Sequence, residues 1–158
     1  MECKPLSTPM ETNLHKLKVE AEESEPIDPT LYREIVGSLM HLVNTRLDIC
    51  YATNVVSHFM CEPKKIHLMA AKHILRYLRG SIGFGLNYEQ VEINLQGYSD
   101  FDWAGSTTDR KSTTGCCFNL GSAMISWFSR KQSAVALSST EAEYMAASMG
   151  AREAIQTH

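Results

Sequence analysis

Apolar residues recur at intervals of three and four through the first half of the chain, which is the spacing of amphipathic helices. The pattern predicts three helices: one over residues 29–44, one that begins at Asp48, and one over residues 64–79. Asp28 before Pro29 supports the first of these, because aspartate caps free backbone N–H groups and proline fits the first helical turn. Asp48 is placed to cap the second helix in the same way.

The same spacing identifies the residues expected in the core. Gly80 is expected to end the third helix in the left-handed conformation that glycine adopts easily. The expected core positions, helix by helix, are Leu31, Ile35, Leu39, Leu42 and Val43, then Ile49, Ala52, Val55, Val56 and Phe59, then Leu68, Ala71, Ile74, Leu75 and Leu78.

The second half of the chain changes to short runs typical of strands, followed by one more helix. The last two strands form a predicted hairpin closed by Gly121 and Ser122. A final helix is predicted from Ser139 to Ile155, in a stretch rich in alanine, glutamate and methionine. Helices separated from strands in this way indicate an α+β fold. The predicted strands are residues 83–88, 93–99, 113–120 and 123–130.

Composition predicts three segments along the chain. Residues 1–27 are polar, carry a run of glutamates and lack a sustained period, so they are predicted to be a flexible acidic leader. Residues 28–82 hold the three helices, and residues 83–158 hold the strands and the last helix. The boundary between the two structured parts is expected near residues 80–92.

The bulk numbers are those of a globular protein: 158 residues, 44% hydrophobic, 21% charged, net charge -3. They exclude a wholly disordered chain, a collagen-like repeat and a disulfide-stabilised miniprotein. No apolar run approaches the roughly 20 residues that span a bilayer, so no membrane partner is expected. The first residues lack the pattern of a secretory signal, and the five cysteines show no C-x-x-C pair. An intracellular location, cytoplasmic or nuclear, is therefore expected.

Two acidic stretches are candidates for chemistry. Asp100 and Asp102 follow a predicted strand, where carboxylates suit Mg²⁺, although such residues also simply end strands and begin turns. Glu141 and Glu143 begin the last helix, where Ser138 with Glu141 and Thr140 with Glu143 both also fit a capping box. Because the two glutamates are two residues apart on a helix, at most one can face a site shared with Asp100.

A basic face is predicted on the third helix. Lys65, Lys72, Arg76 and Arg79 fall on roughly one side of it, where they could follow a nucleic acid backbone. A solvated face opposite an apolar stripe explains the same pattern equally well.

The tetrapeptide Arg76-Tyr77-Leu78-Arg79 has the form R-x-L-R and resembles the host-entry sequence of secreted oomycete effectors. That resemblance implies a protein secreted into a host cell, with a host protein as its partner. Leu78 also belongs to the predicted core stripe, so a chance match within a basic amphipathic helix explains the tetrapeptide as well.

Taken together, these stretches resemble the C-terminal part of the Pol polyprotein of a copia-type LTR retrotransposon. The resemblance extends in order over nearly the whole chain, and Cys3-Lys4-Pro5 with Thr8-Pro9-Met10 matches its usual lead-in. The matching segments are residues 32–39, 45–49, 71–80, 97–105, 109–115, 125–127 and 136–144.

The resemblance implies a helical connection or thumb-like segment of reverse transcriptase over residues 28–82. Residues 83–158 would then be a truncated ribonuclease H-like domain, a mixed sheet in the order β-β-β-α. Such a domain hydrolyses the RNA of an RNA–DNA hybrid with four carboxylates around two Mg²⁺ ions. Asp100 corresponds to its first-strand aspartate and Glu143 to its first-helix glutamate, while Asp102 and Glu141 have less certain roles.

The other two carboxylates of the family, and the paired aspartates of the polymerase, fall outside these 158 residues. The chain alone is therefore expected to bind Mg²⁺ weakly and to be catalytically inactive. The expected partners are an RNA–DNA hybrid or other nucleic acid and the rest of the Pol polyprotein. A strand at residues 93–99 without its neighbour would present an open sheet edge.

Overall fold

The computed structural model describes residues 3–14, 16–90, 92–102 and 111–157. The chain divides into two compact units, Met1–Gly85 and Leu86–His158. The division falls inside the predicted boundary region. The first unit is helical and the second combines a sheet with one helix, so the chain is α+β.

The first unit contains the three predicted helices and two shorter ones. The Oδ1 atom of Asp28 accepts a hydrogen bond from the N–H of Thr30 at 2.9 Å, as its predicted capping role requires. The prediction for Asp48 is wrong, because no side chain caps the second of the three helices. The helices are α1 (Lys16–Val19), α2 (Pro29–Leu42), a 3₁₀ helix (Leu47–Ile49), α3 (Cys50–Ser57) and α4 (Lys65–Gly80).

The core of this unit lies where α2, α3 and α4 meet. Its fully buried members include Tyr32 and Val36 on α2, Val56 on α3 and Ile74 on α4. The predicted core was wrong for Leu31, Leu42 and Leu75, which are exposed. On α2 Tyr32 and Val36 are buried together with the predicted Leu39, and on α4 Tyr77 is buried whereas Leu75 is not.

The residues predicted to form a flexible leader lie against α4. The N–H of Leu6 donates to the carbonyl of Arg76, and the N–H of Lys65 donates to the carbonyl of Glu25 at 2.8 Å. The sequence pattern did not indicate this packing, because the contacts use backbone atoms that any residue carries.

Gly80 also differs from expectation. Gly121 is the described glycine with positive φ, so Gly80 does not end α4 in the left-handed conformation. It lies instead against Pro5, and a Cβ added at Gly80 would be only 3.0 Å from Pro5 Cβ. The glycine is therefore explained by the close approach of another part of the chain.

The second unit begins with an antiparallel sheet in the order β1-β2-β3, followed by a helix along the chain. The β-β-β-α order matches expectation, but the expected mixed sheet is wholly antiparallel in its described part. The predicted hairpin is confirmed, with Gly121 at φ 63° in its turn. Residues 83–88 are not a strand. The elements are β1 (Leu95–Asp102), β2 (Thr113–Leu120), β3 (Ala123–Lys131) and α5 (Ser139–Thr157).

Helix α5 packs on one face of this sheet. The buried side chains beneath it are Cys116, Phe118 and Phe128. Gly150 brings α5 close to the sheet, since a Cβ there would lie 3.4 Å from Cys116 Sγ. In the described sheet β1 pairs with β2 alone, so β1 is an edge strand.

Replacing Gly97 by alanine tests this packing. A Cβ at Gly97 would lie 2.5 Å from Cε1 of the buried Phe118 ring, so the ring or the strand must move. We expect Gly97→Ala to lower the unfolding free energy of the second unit by about 1–3 kcal/mol. Both tryptophans, Trp103 and Trp127, belong to this unit, so urea unfolding followed by tryptophan fluorescence reports on it.

Gly115 provides the matched control for this substitution. It lies in β2, and a Cβ there meets no atom within 4 Å. Gly115→Ala should therefore leave the unfolding midpoint nearly unchanged. Equal midpoints for the two variants would contradict the close approach of Gly97 to Phe118.

Candidate functional site

Asp100, the candidate first-strand carboxylate, lies in β1 opposite Gly115 of β2. Its side chain is exposed, and its Oδ1 accepts a hydrogen bond from the N–H of Phe101 at 2.8 Å. Ser99 faces α5, because its Cβ lies 3.8 Å from the Cβ position of Gly150. Side chains alternate along a strand, so Asp100 points to the opposite face of the sheet.

Glu143, the candidate helix carboxylate, is exposed near the start of α5. The side chain of Asp102 lies outside the described part of the chain. Within the described residues, no three side chains of His, Cys, Asp or Glu come together in a way that could hold a metal ion. A two-metal centre needs carboxylates around both ions, so the described residues do not fit one by themselves.

Glu141 has a structural role at the start of α5. Its Oε2 accepts a hydrogen bond from the N–H of Leu137 at 2.6 Å. Its own N–H donates to Ser138 Oγ at 3.2 Å. These bonds are close to the first of the two predicted capping boxes and satisfy donors at the start of the helix.

Gln132 joins the sheet to α5, and sequence reasoning missed it. The side chain is buried, and its Nε2 donates to Thr114 Oγ1 at 3.0 Å and to the carbonyl of Ala142 at 3.2 Å. Its Oε1 has no hydrogen-bond partner among the described residues. A buried amide that bonds to both elements fixes the start of α5, and hence Glu143, relative to the sheet. No local pattern marks a lone glutamine after a strand as buried.

The basic face of α4, formed by Lys65, Lys72, Arg76 and Arg79, is partly occupied by the residues that precede α2. Lys65 Nζ lies 3.1 Å from Glu25 Oε2. The guanidinium groups of the two arginines donate to backbone carbonyls near the start of the chain. Those bonds run from Arg76 Nε to Lys4 at 2.9 Å and from Arg79 NH1 to Cys3 at 3.0 Å.

A cavity of about 710 Å³ lies beside this basic face, between α4 and the N-terminal residues. Its wall combines apolar and cationic side chains with two acidic ones, Glu11 and Glu20. Among the residues that line it are Met10, Leu14, Met69, Lys72, Arg76 and Arg79.

Asp48, which sequence reasoning assigned to a helix cap, forms a charge pair with Arg46 at the end of α4. Arg46 donates from Nε to Asp48 Oδ1 at 2.9 Å and from NH2 to Asp48 Oδ2 at 2.6 Å. The hydroxyl of Tyr77 donates to the same Oδ2 at 2.7 Å. Arg46 NH1 also donates to the carbonyl of Ser81 at 3.0 Å. The pair therefore ties the segment before α3 to the last turn of α4.

The hydrogen bonds from Arg46 hold the pKa of the Asp48 carboxyl below its usual value, and burial opposes them. The same bond to Asp48 raises the pKa of the Arg46 guanidinium. The hydrogen bond to Asp48, with burial second, raises the pKa of the Tyr77 hydroxyl. These directions are those of an ion pair that is charged at neutral pH.

Proteins similar in sequence to this chain are found among transposon proteins. No family model and no solved structure matches the chain. The retrovirus-related Pol polyprotein from transposon RE1 of Arabidopsis thaliana is 48% identical over 143 residues, which is 90% of this chain. The chain belongs to the retrovirus-related Pol polyproteins of copia-type transposons. The uncharacterized mitochondrial protein AtMg00810 of the same plant is 42% identical over 97% of this chain.

The Pol relatives are much longer than this chain. The aligned region is 10% of the RE1 polyprotein and 63% of AtMg00810. None of the described helices has the length and hydropathy needed to cross a membrane.

A relative of a different kind is the secreted RxLR effector protein 161 of Plasmopara viticola. It is 45% identical over 126 residues, 78% of this chain and 89% of the effector. In this structure the R-x-L-R tetrapeptide is part of α4. Tyr77 within it is buried and bonded to Asp48, and Leu78 packs against the core. The tetrapeptide is therefore part of the packing that holds the helices of the first unit together.

Replacing Asp48 by asparagine should destabilise the first unit in a pH-dependent way. The folded state holds the Asp48 pKa below its unfolded value, so the pair contributes stability above that value and loses it as pH falls through the folded pKa. We expect Asp48→Asn to lower the unfolding free energy by about 1–3 kcal/mol near neutral pH. Below about pH 4 the difference from the wild type should shrink.

The measurement is urea unfolding followed by far-UV circular dichroism at neutral and acidic pH. Glu34→Gln, which neutralises an exposed carboxylate on α2, is the matched control and should change stability little at either pH. If Asp48→Asn lowers the unfolding free energy as much at acidic pH as at neutral pH, the result would contradict the ion pair.

Proposed function

We propose that this chain is a segment of a copia-type Pol polyprotein that joins the end of the reverse transcriptase region to the start of a ribonuclease H-like domain. The alignment with the Pol polyprotein of RE1 carries the proposal, because it covers 90% of the chain. The element order supports it. A helical unit comes first, and a β-β-β-α unit with Asp100 on its first strand follows.

We propose further that the 158 residues have no ribonuclease H activity by themselves. They supply Asp100 and Glu143, two of the four carboxylates that the family resemblance implies. In the complete family domain, two Mg²⁺ ions stabilise the charges on the attacking and departing oxygens. With only these two ligands, both exposed, this polypeptide would bind Mg²⁺ weakly and would not hold two ions in place. The rest of the Pol polyprotein is its proposed partner.

Incubation with a labelled RNA–DNA hybrid in Mg²⁺ or Mn²⁺ tests this proposal. The wild-type polypeptide and its Asp100→Asn variant should both leave the RNA intact, while a complete ribonuclease H cleaves it in the same buffer. Robust cleavage by the wild type that Asp100→Asn abolishes would overturn the proposal.

A secreted effector role is the second candidate, favoured by the relative from Plasmopara viticola. A host-entry signal has to be accessible, whereas Tyr77 is 7% exposed and both arginines bond to the chain's own backbone. We therefore expect the combined Arg76→Ala and Arg79→Ala changes to leave uptake of the tagged protein by host cells unaltered. Uptake that depends on these two arginines would support the effector role.

A further inference from the structure

The first described residues form an extended strap, Cys3–Thr8, that runs antiparallel to α4 along its last two turns. Donors along the helix meet backbone carbonyls of the strap in succession. His73 Nε2 must donate, because a carbonyl oxygen only accepts. The successive bonds are Arg79 NH1 to Cys3 at 3.0 Å, Arg76 Nε to Lys4 at 2.9 Å and His73 Nε2 to Thr8 at 3.0 Å.

Two further features hold the strap close to the helix. The N–H of Leu6 donates back to the carbonyl of Arg76 at 3.4 Å. At the end of α4, Gly80 leaves room for Pro5. A Cβ at Gly80 would lie 3.0 Å from Pro5 Cβ and 3.2 Å from the Leu6 carbonyl oxygen, closer than ordinary contact.

A second set of contacts with α4 lies further along the residues that precede α2. His67 Nδ1 accepts the N–H of Lys64 at 3.0 Å, so its Nε2 carries the proton and donates to the carbonyl of Leu17 at 3.0 Å. The ring stacks on Phe59 at 3.9 Å between centroids. The segment that follows the strap is therefore fixed to the start of α4 independently of the arginines.

We propose that the strap competes with polyanions for the arginine side of α4: it holds one donor of Arg76 and one of Arg79, so a polyanion binds the two guanidinium groups more tightly once the strap is displaced. The strap carbonyls take guanidinium donors that phosphate oxygens would otherwise take. Carbonyl dipoles are weaker acceptors for a guanidinium than phosphate charges, so the cover is exchangeable. The proposal concerns this face alone and does not depend on the assignment to Pol.

Salt dependence gives the proposal a quantitative signature. Each phosphate neutralised by a cationic side chain steepens the decline of log affinity with log salt by about 0.9 for duplex DNA. Freeing both guanidinium groups allows at most two more such contacts. The slope of a variant without a docked strap should therefore be steeper than that of the wild type, by no more than about 1.8.

The variant Gly80→Val undocks the strap without changing any charge, since its side chain would occupy the space of Pro5. Gly37→Val is the matched control, because a Cβ at Gly37 of α2 meets no atom within 4 Å. Two quantities are measured in the full chain. One is hydrogen exchange of the Leu6 amide, and the other is affinity for a short DNA duplex at several salt concentrations.

For Gly80→Val we expect faster exchange at Leu6, tighter duplex binding and the steeper slope, while Gly37→Val matches the wild type. Should Gly80→Val fail to fold, Leu6→Pro removes the N–H that the strap donates to Arg76, and it should give the same tighter duplex binding and steeper slope. An unprotected Leu6 amide in the wild type would overturn the proposal. So would undocking that leaves duplex affinity and slope unchanged.

Discussion

The first unit depends on α4 being covered along two sides by its own chain. On one side Ala71 and Ile74 pack into the core beside α2 and α3, where Tyr32 is fully buried. The hydroxyl of Tyr32 donates to the carbonyl of Val56 at 2.8 Å, and burial raises its pKa. On the other side the strap takes donors from the arginines. A 16-residue helix gains most of its stability from such packing rather than from its own propensity.

Periodicity predicted where the helices and the hairpin lie, but not which residues face the core. A stripe at intervals of three and four locates the buried face of α2 only to within about one residue, or 100°. Leu31 and Tyr32 satisfy the pattern equally well, and the position of α3 decides between them. Tyr32 is the buried residue because its hydroxyl donates to the Val56 carbonyl, a partner 24 residues away. Which of the two residues faces the core therefore cannot be predicted from the pattern of one helix.

The candidate site shows the same division between local and distant determinants. The cap formed by Ser138 and Glu141 is local, and the sequence pattern predicted it together with an alternative at Thr140 and Glu143. Asp48 was assigned to a cap for the same local reason, yet Arg46 and Tyr77 take its carboxylate. A bidentate bond from the neighbouring Arg46, with a further bond from Tyr77 29 residues away, is stronger than a single bond from the carboxylate to a backbone N–H, so Asp48 does not act as a cap. The sequence did not predict the strap, because its acceptors are backbone carbonyls, which every residue carries whatever its type.

The edge position of β1 connects the stability of the second unit to its chemistry. In the described sheet β1 pairs with β2 alone, so its other edge has unpaired N–H and C=O groups. The family resemblance places the third carboxylate on a strand beside the one that carries Asp100. A strand paired there would both close the edge and bring a carboxylate toward Asp100. Under the proposed Pol assignment, one added strand would therefore complete both the sheet and the carboxylate set.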